Sequence, residues 1–86
     1  MEPPHVNVTV LFFAQARDRA GRARASLELP EGSRVADALA ALGRAHPDLE
    51  PLWPQLAVAV DGRLAGGDAE LRDGAELALL PPVSGG

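Results

Sequence analysis

The sequence predicts an α+β domain in which one mixed β-sheet wraps around a single main helix. Two stretches, residues 6–14 and 23–29, have a period of two, which places apolar residues along one face of each. One stretch, residues 34–45, carries apolar residues at helical spacing. Two further runs, 56–60 and 75–80, have strand length and composition. Because one helix face and one sheet face must cover each other, this order of elements favours a two-layer fold.

The first two strands are predicted to form an antiparallel hairpin with a long connection. In the first strand, period-two alternation separates two faces: Val6, Val8, Val10 and Phe12 point one way, and Asn7, Thr9, Leu11 and Phe13 point the other. The polar residues 15–21 are expected to form a loop or a single helical turn. In the second strand, Ala23, Ala25, Leu27 and Leu29 continue the inner face.

The helix over 34–45 is predicted to begin after Ser33 and to end at His46-Pro47. Ser33 follows the strand-breaking Pro30-Glu31-Gly32 and is an expected N-cap. With Ser33 in that role, Ala36 would occupy the N3 position and leave the capping box incomplete. The next segment, 48–54, reads as a Pro-bounded connection whose Trp53 folds back over the edge of the core.

The last strands are predicted to complete the sheet. Residues 56–60 form a continuous apolar run, which is typical of a central strand, and Asp61-Gly62 is a strong two-residue hairpin signal. In the final strand, Ala75, Leu77 and Leu79 are expected to face the core. Hairpin, helix and further strands in this order indicate the β-grasp architecture.

The final six residues, 81–86, read Pro-Pro-Val-Ser-Gly-Gly and are expected to form a tail beyond a domain of residues 1–80. Pro81 and Pro82 cannot continue a central strand, which favours holding the tail off the domain. Gly85 and Gly86 lack a Cβ and could pass through a narrow channel. We therefore expect any reactive group to be the Gly86 carboxylate, although Gly-rich termini are also common without function.

Composition narrows the classes of function. The chain has no cysteine, no lysine, a formal charge of −4 and no basic run, which argues against thiolate chemistry, a Cys-based metal site and nucleic-acid binding. The net charge suits docking on basic partner surfaces, or simply favours solubility. His5 and His46 have no partners at metal-ligand spacing. With no apolar run long enough to span a bilayer, the sequence predicts a cytoplasmic protein without a membrane partner.

Some apolar residues fall on the predicted outer face of the sheet. Leu11, Phe13 and Leu80 point away from the core by alternation, and Leu64 follows the Asp61-Gly62 hairpin. Such residues either form a protein-binding patch or are the single exposed apolar residues found on most proteins.

The segments Val10-Leu11-Phe12-Phe13-Ala14-Gln15-Ala16-Arg17 and 73–86 resemble the ubiquitin-like family of molybdopterin synthase small subunits. The resemblance implies a sulfur carrier with no bound cofactor. An adenylyltransferase partner resembling ubiquitin-activating enzymes would adenylate Gly86 using ATP, and sulfur would replace AMP to give a thiocarboxylate. The tail would then enter the synthase large subunit and donate sulfur to cyclic pyranopterin monophosphate, in molybdenum cofactor biosynthesis.

By position, the resemblance assigns Phe13, Leu64 and Leu80 to contacts with the large subunit, and Pro81, Pro82, Val83 and Ser84 to the partner-bound tail. Leu80 stands where the family often has Phe, and Ala75 where an acidic residue is common. Three alternatives remain open: a sulfur carrier for thiamine thiazole or tRNA thiolation, a ubiquitin-like modifier conjugated through Gly86, and a plain interaction module. Alone, the chain is expected to be non-catalytic.

Overall fold

The computed structural model describes residues 4–81 and shows a five-stranded mixed sheet with its helices packed on one face. The sheet has the order β2-β1-β5-β3-β4, with β1 and β5 parallel and the other neighbours antiparallel. This arrangement confirms the predicted α+β class and β-grasp topology. In chain order, the elements are β1 (His5–Phe12), α1 (Ala14–Ala20), β2 (Arg24–Pro30), α2 (Val35–Ala45), a 3₁₀ segment (Pro47–Gln55), β3 (Ala57–Val60), β4 (Arg63–Leu64) and β5 (Glu76–Leu80).

The alternation predicted for the strands is confirmed by burial. Val6, Val8, Val10 and Phe12 of β1 are all buried against α2, together with Leu77 and Leu79 of β5. Pairing carries the same face across the sheet, since Val10 lies opposite Leu77 and Phe12 opposite Leu79. A one-residue slip would expose this whole set, so the core itself fixes the strand register.

The prediction that residues 56–60 form the central strand is wrong. β3 lies between β5 and the two-residue β4, and only Ala59 of its four residues is buried. The central strand is β5, which pairs with β1 on one side and β3 on the other. An apolar run indicates a strand with two hydrophobic faces, whereas its place in the sheet depends on pairing with distant segments.

Helix α2 begins one residue later than predicted, with Arg34 and not Ser33 as the N-cap. The Ser33 hydroxyl donates instead to the Pro30 carbonyl oxygen at 2.6 Å. The shift places Asp37 at N3, where its Oδ2 accepts the Arg34 N–H at 2.9 Å. This is the acidic half of a capping box, and it also puts a negative charge at the positive end of the helix dipole.

A loop that follows β4 satisfies the remaining amides of the α2 N-terminus. The Val35 N–H donates to the Ala69 carbonyl at 2.9 Å, and the Ala36 N–H donates to the Gly67 carbonyl at 3.0 Å. These groups have no partner within the helix itself. The loop therefore takes over a capping role from a side chain, which no local sequence signal encodes.

The segment predicted as a loop or single helical turn is the seven-residue helix α1. Its C-terminus is closed by Gly21, whose φ of 77° is favourable for glycine and whose N–H donates to the Arg17 carbonyl at 2.9 Å. Ala16 is fully buried and anchors the helix. Ala14, with a φ of 49°, makes the sharp change of direction out of β1.

The 3₁₀ segment closes the far side of the core, as predicted for Trp53. Leu49 and Leu52 are buried there, and Trp53 is half-buried against the core cluster. At the end of α2, the His46 ring meets Phe12 edge-on, with ring centroids 5.5 Å apart.

Candidate functional site at the end of strand β5

Two turns hold the start of β5 in place. In the Asp61-Gly62 turn both residues have positive φ, 51° and 85°, as a type I′ hairpin requires. The Asp61 carboxylate accepts the Glu76 N–H at 2.9 Å, and the Asp61 N–H donates to the Glu76 carbonyl at 2.9 Å. The hairpin is therefore pinned to the first residue of the strand that leads to the tail.

The second turn, at Asp73-Gly74, pins the same strand to β1. The Asp73 carboxylate accepts the Asn7 N–H at 2.8 Å, and the Gly74 N–H donates to the Asn7 carbonyl at 2.8 Å. Gly74 has a φ of 86°, which glycine adopts without steric cost. Because both turns hold the start of β5, the strand enters the centre of the sheet in a single register.

The chain leaves the sheet at Leu80 and Pro81. Leu79 is paired on both sides, with Phe12 and with Val58, and Leu80 is paired with Ala57. Pro81 is exposed, and its missing N–H prevents it from continuing the ladder. The predicted tail residues Pro82, Val83, Ser84, Gly85 and Gly86 lie outside the described residues, so their assigned roles stay predictions.

An apolar surface covers part of the outer sheet face beside this exit. Leu11, Ala78, Ala59 and Leu64 lie opposite one another across β1, β5, β3 and β4, and the pair Leu80 and Ala57 forms the next row. Residues that are directly opposite share a face, so all six point away from α2. We call this set, together with Phe13, the outer-face patch.

The three residues assigned by resemblance to partner contacts all belong to the outer-face patch. Phe13 keeps an extended backbone, with φ −122° and ψ 152°, so it continues the alternation of β1 beyond the strand. Its side chain is 43% exposed, and that of Leu64 is 76% exposed. Leu80 is half-buried beside Pro81. The structure thus places these residues on one accessible face, and their contact with a partner remains a prediction.

A cleft of about 250 Å³ opens where the outer-face patch meets Leu80-Pro81, which we call the tail root. Phe13, Leu56 and Pro81 line it together with Ala14, Gln15, Leu52 and Gln55. Sequence reasoning missed the contribution of Leu52, Gln55 and Leu56. Their segment is brought to the end of β1 by packing against α1, and no periodic signal marks it.

The described residues offer no assembled catalytic or metal centre. Within residues 4–81, no group of three or more His, Asp or Glu side chains is placed to hold a metal ion. His5 Nδ1 lies 3.8 Å from Glu28 Oε1, whereas His46 packs on Phe12. In the same range, Ser33 is the one buried polar residue, and its hydroxyl is committed to a backbone carbonyl. None of the helices in this part of the chain is long and apolar enough to cross a membrane.

Comparison with known proteins identifies the family. The ThiS family profile matches residues 10–86, which includes the end of β1, the outer-face patch and the Gly-Gly end. The chain belongs to the ThiS family. It is 36% identical over 83 residues to the molybdopterin synthase sulfur carrier subunit of Chlamydomonas reinhardtii, covering 94% of this chain and 100% of that protein. It is also 37% identical to small archaeal modifier protein 1 of Haloferax volcanii, over 87% of this chain and 95% of that protein.

Solved structures agree with this assignment. The putative molybdopterin converting factor subunit 1 of Pyrococcus furiosus superposes with a TM-score of 0.79 at 34% identity, over 91% of this chain and 99% of that one. A chain of the BexX/CysO complex of Amycolatopsis orientalis matches with a TM-score of 0.68 at 27% identity, over 92% and 99% of the two chains. The predicted resemblance to molybdopterin synthase small subunits is therefore confirmed, and a related chain of this fold occurs in a complex with a protein partner.

Proposed function

We propose that this ThiS-family chain is the sulfur carrier subunit of a molybdopterin synthase, acting through the carboxylate of Gly86. The observation that carries the proposal is the junction at Leu80 and Pro81. There a strand whose start is held by two turns delivers the chain to the outer-face patch, with its exposed Phe13 and Leu64, and to a cleft. The sequence likeness to sulfur carrier subunits, which extends over nearly the whole chain, supports the same assignment.

The proposed chemistry explains why the domain needs no catalytic centre of its own. A carboxylate is a poor electrophile, so a partner must first convert it with ATP into an acyl-adenylate, releasing pyrophosphate. A sulfur nucleophile then attacks the acyl carbon and displaces AMP, which leaves a thiocarboxylate on Gly86. The enzyme that binds ATP supplies the electrostatic stabilisation of this transition state. The carrier supplies a rigid strand, a docking face and a terminus without side chains.

The next partner would be the synthase large subunit, which takes the thiocarboxylate and transfers sulfur to cyclic pyranopterin monophosphate. Five residues follow Pro81, and an extended chain advances by at most about 3.3–3.6 Å per residue. The acceptor atom must therefore lie within about 18 Å of Pro81. Adenylation consumes ATP, and we accordingly place the carrier in the cytoplasm.

Mass spectrometry of the protein isolated from its native cells tests the proposal. Arg72 is the last arginine and lysine is absent, so trypsin releases residues 73–86 as the C-terminal peptide. Exchange of oxygen for sulfur adds about 16 Da to this peptide, as expected for an acyl group displaced by a sulfur nucleophile. A variant lacking Gly86 is the matched control and should gain nothing. No mass gain in the wild-type peptide after incubation with ATP, sulfur donor and activating enzyme would refute the carrier function.

A second function, conjugation to other proteins, is favoured by the 37% identity to small archaeal modifier protein 1. The same acyl-adenylate would then be attacked by a lysine amine in place of sulfur. After trypsin, a modified lysine would carry residues 73–86, which distinguishes conjugation from sulfur transfer. Because the carrier itself has no lysine, it offers no side-chain amine for building chains of itself.

A further inference from the structure

The arginines of the chain are concentrated in one short segment. Four of the eight lie between residues 17 and 24, and Asp18 is the one carboxylate between residues 14 and 24, giving this segment a formal charge of +3. All four are exposed, and within residues 4–81 none forms an ion pair. We call them the arginine cluster: Arg17, Arg19, Arg22 and Arg24.

The fold places the arginine cluster at the end of the sheet from which the tail departs. Helix α1 follows the last residues of β1, and β2 begins at Arg24, so the whole connection lies at the end where Phe12 pairs with Leu79. Arg24 lies opposite Leu11, in the same outer-face row that continues to Ala78. The cluster therefore borders the outer-face patch and the tail root.

The opposite end of the sheet is acidic. Three carboxylates lie beside the first residues of β1: Glu28 pairs with Asn7, the Asp73 carboxylate accepts the Asn7 N–H, and the Glu31 N–H donates to the Pro4 carbonyl. Two more, Glu76 opposite Thr9 and Asp61 bound to Glu76, lie nearer the middle of the sheet. Arg63 and Arg72 offset two of them. The two ends are separated along β1 by about 13 Å from Asn7 to Leu11, at about 3.3 Å per residue. For the carboxylates beside Asn7 this exceeds the Debye length of about 8 Å at physiological salt, so a partner at the tail end meets mainly the charge of the arginine cluster.

The helix layer at the tail end changes this balance only slightly. Arg44 lies in the last turn of α2, and Asp48 and Glu50 lie in the 3₁₀ segment. Together they contribute a formal charge of −1, which leaves the tail end positive. Although the net charge of the chain is −4, the charge is unevenly distributed, and the end of the sheet at the tail root is positive.

We propose that the proteins which dock on the outer-face patch and receive the tail present a carboxylate-rich rim to the arginine cluster. This inference rests on the proposed function. It predicts acidic partner surfaces, whereas the net charge of the chain suggested basic ones. Guanidinium groups pair with carboxylates through parallel hydrogen bonds, and such charges at the rim of an interface act mainly on the association rate. A protein partner is favoured over a nucleic acid because the cluster adjoins an apolar patch that includes the exposed Phe13 and Leu64.

Two variants with the same change in net charge separate the effect of charge near the tail root from the effect of the net charge of the whole chain. Arg22→Glu reverses a charge at the tail end, and Arg72→Glu reverses an exposed charge at the far end. Association rates of each with the activating enzyme and with the large subunit would be measured by stopped flow from about 0.01 to 1 M salt, where the Debye length falls from about 30 to 3 Å. Circular dichroism would establish that both variants are folded.

We expect Arg22→Glu to lower the association rate several-fold at low salt, and Arg22→Glu/Arg24→Glu to lower it about ten-fold, within the range of electrostatic steering. The rates should converge with wild type near 1 M salt, and Arg72→Glu should stay within about two-fold throughout. A faster association of Arg22→Glu, or equal effects of Arg22→Glu and Arg72→Glu, would overturn the proposed polarity. So would tight binding of bulk tRNA that the double variant loses. Failure of the wild-type chain to bind either protein would instead refute the proposed function.

Discussion

Adjacent phenylalanines at the end of β1 provide the sharpest test of the two faces of the sheet. Phe12 is 2% exposed and packs edge-on against His46, whereas Phe13 is 43% exposed at the cleft beside Pro81. Truncating a buried phenylalanine removes its transfer free energy and leaves a cavity, at a cost of about 3–5 kcal/mol. For Phe13, about half of the 1.5–3 kcal/mol available from full burial is at stake, so Phe13→Ala should cost about 1 kcal/mol.

These magnitudes are large relative to the whole domain. At about 0.05–0.15 kcal/mol per residue, an 86-residue chain is stable by about 4–13 kcal/mol. Phe12→Ala should therefore lower the midpoint of thermal unfolding by at least 12 °C, at about 4–8 °C per kcal/mol. Because this variant could be largely unfolded, Phe12→Leu serves as a milder companion, with an expected loss of about 1–2 kcal/mol.

Binding should show the opposite order. Phe13→Ala should weaken binding to the large subunit by about 1–3 kcal/mol, as expected for an aromatic anchor at the centre of an interface. Urea unfolding would give the stability of each variant, and titration calorimetry the affinity of those that remain folded. If Phe13→Ala unfolded the domain while Phe12→Ala only weakened binding, the strand register and both faces derived from it would be wrong.

Three further outcomes are expected. Deleting Gly86, or replacing Gly85 with Trp, should abolish sulfur transfer in a reconstituted synthase while leaving the unfolding midpoint within about 2 °C, because chain termini generally tolerate change with little loss of stability; normal activity in the deletion would exclude the carrier mechanism. Asp61→Ala should cost about 1–3 kcal/mol in urea unfolding, since it leaves the Glu76 N–H without its acceptor and strains a turn that requires positive φ; Asp61→Asn, which keeps an acceptor and tolerates that φ, should cost less. The activating enzyme and the large subunit should compete for the carrier in titrations, since both use the tail and the patch around Leu64; a stable ternary complex on one copy would contradict this.

Local patterns in the sequence were sufficient to predict the elements and the faces they bury. The alternation of β1 and β5 and the stripe on α2 are confirmed by burial, because burial of one face imposes a fixed period on the chain. In the second strand Ala25, Leu27 and Leu29 face the core as predicted, but Ala23 is exposed ahead of β2. The Asp61-Gly62 hairpin could also be predicted from the sequence, since only a few residue types accept positive φ at both positions.

Errors arose where a local signal competed with a distant contact. Ser33 is a good N-cap by type, but the helix starts after Arg34 because Asp37 and the carbonyls of Gly67 and Ala69 satisfy its first amides. The polar segment before Gly21 is a helix and not the predicted loop or single turn. Helix α1 is held by burial of Ala16, and one buried alanine in seven residues gives no periodic pattern.

The sequence by itself determined the class of fold, the inner and outer faces and the family to which the Gly-Gly end belongs. Those features depend on periodicity and on residue types within a few positions of one another. The tertiary structure alone decided that β5 is central, that the cleft at Pro81 joins α1 to the 3₁₀ segment, and that the arginine cluster lies at the end of the sheet where the chain leaves β5. Each of these depends on which distant segments pair and pack, and the free energy of such contacts is not encoded in any single stretch of the chain.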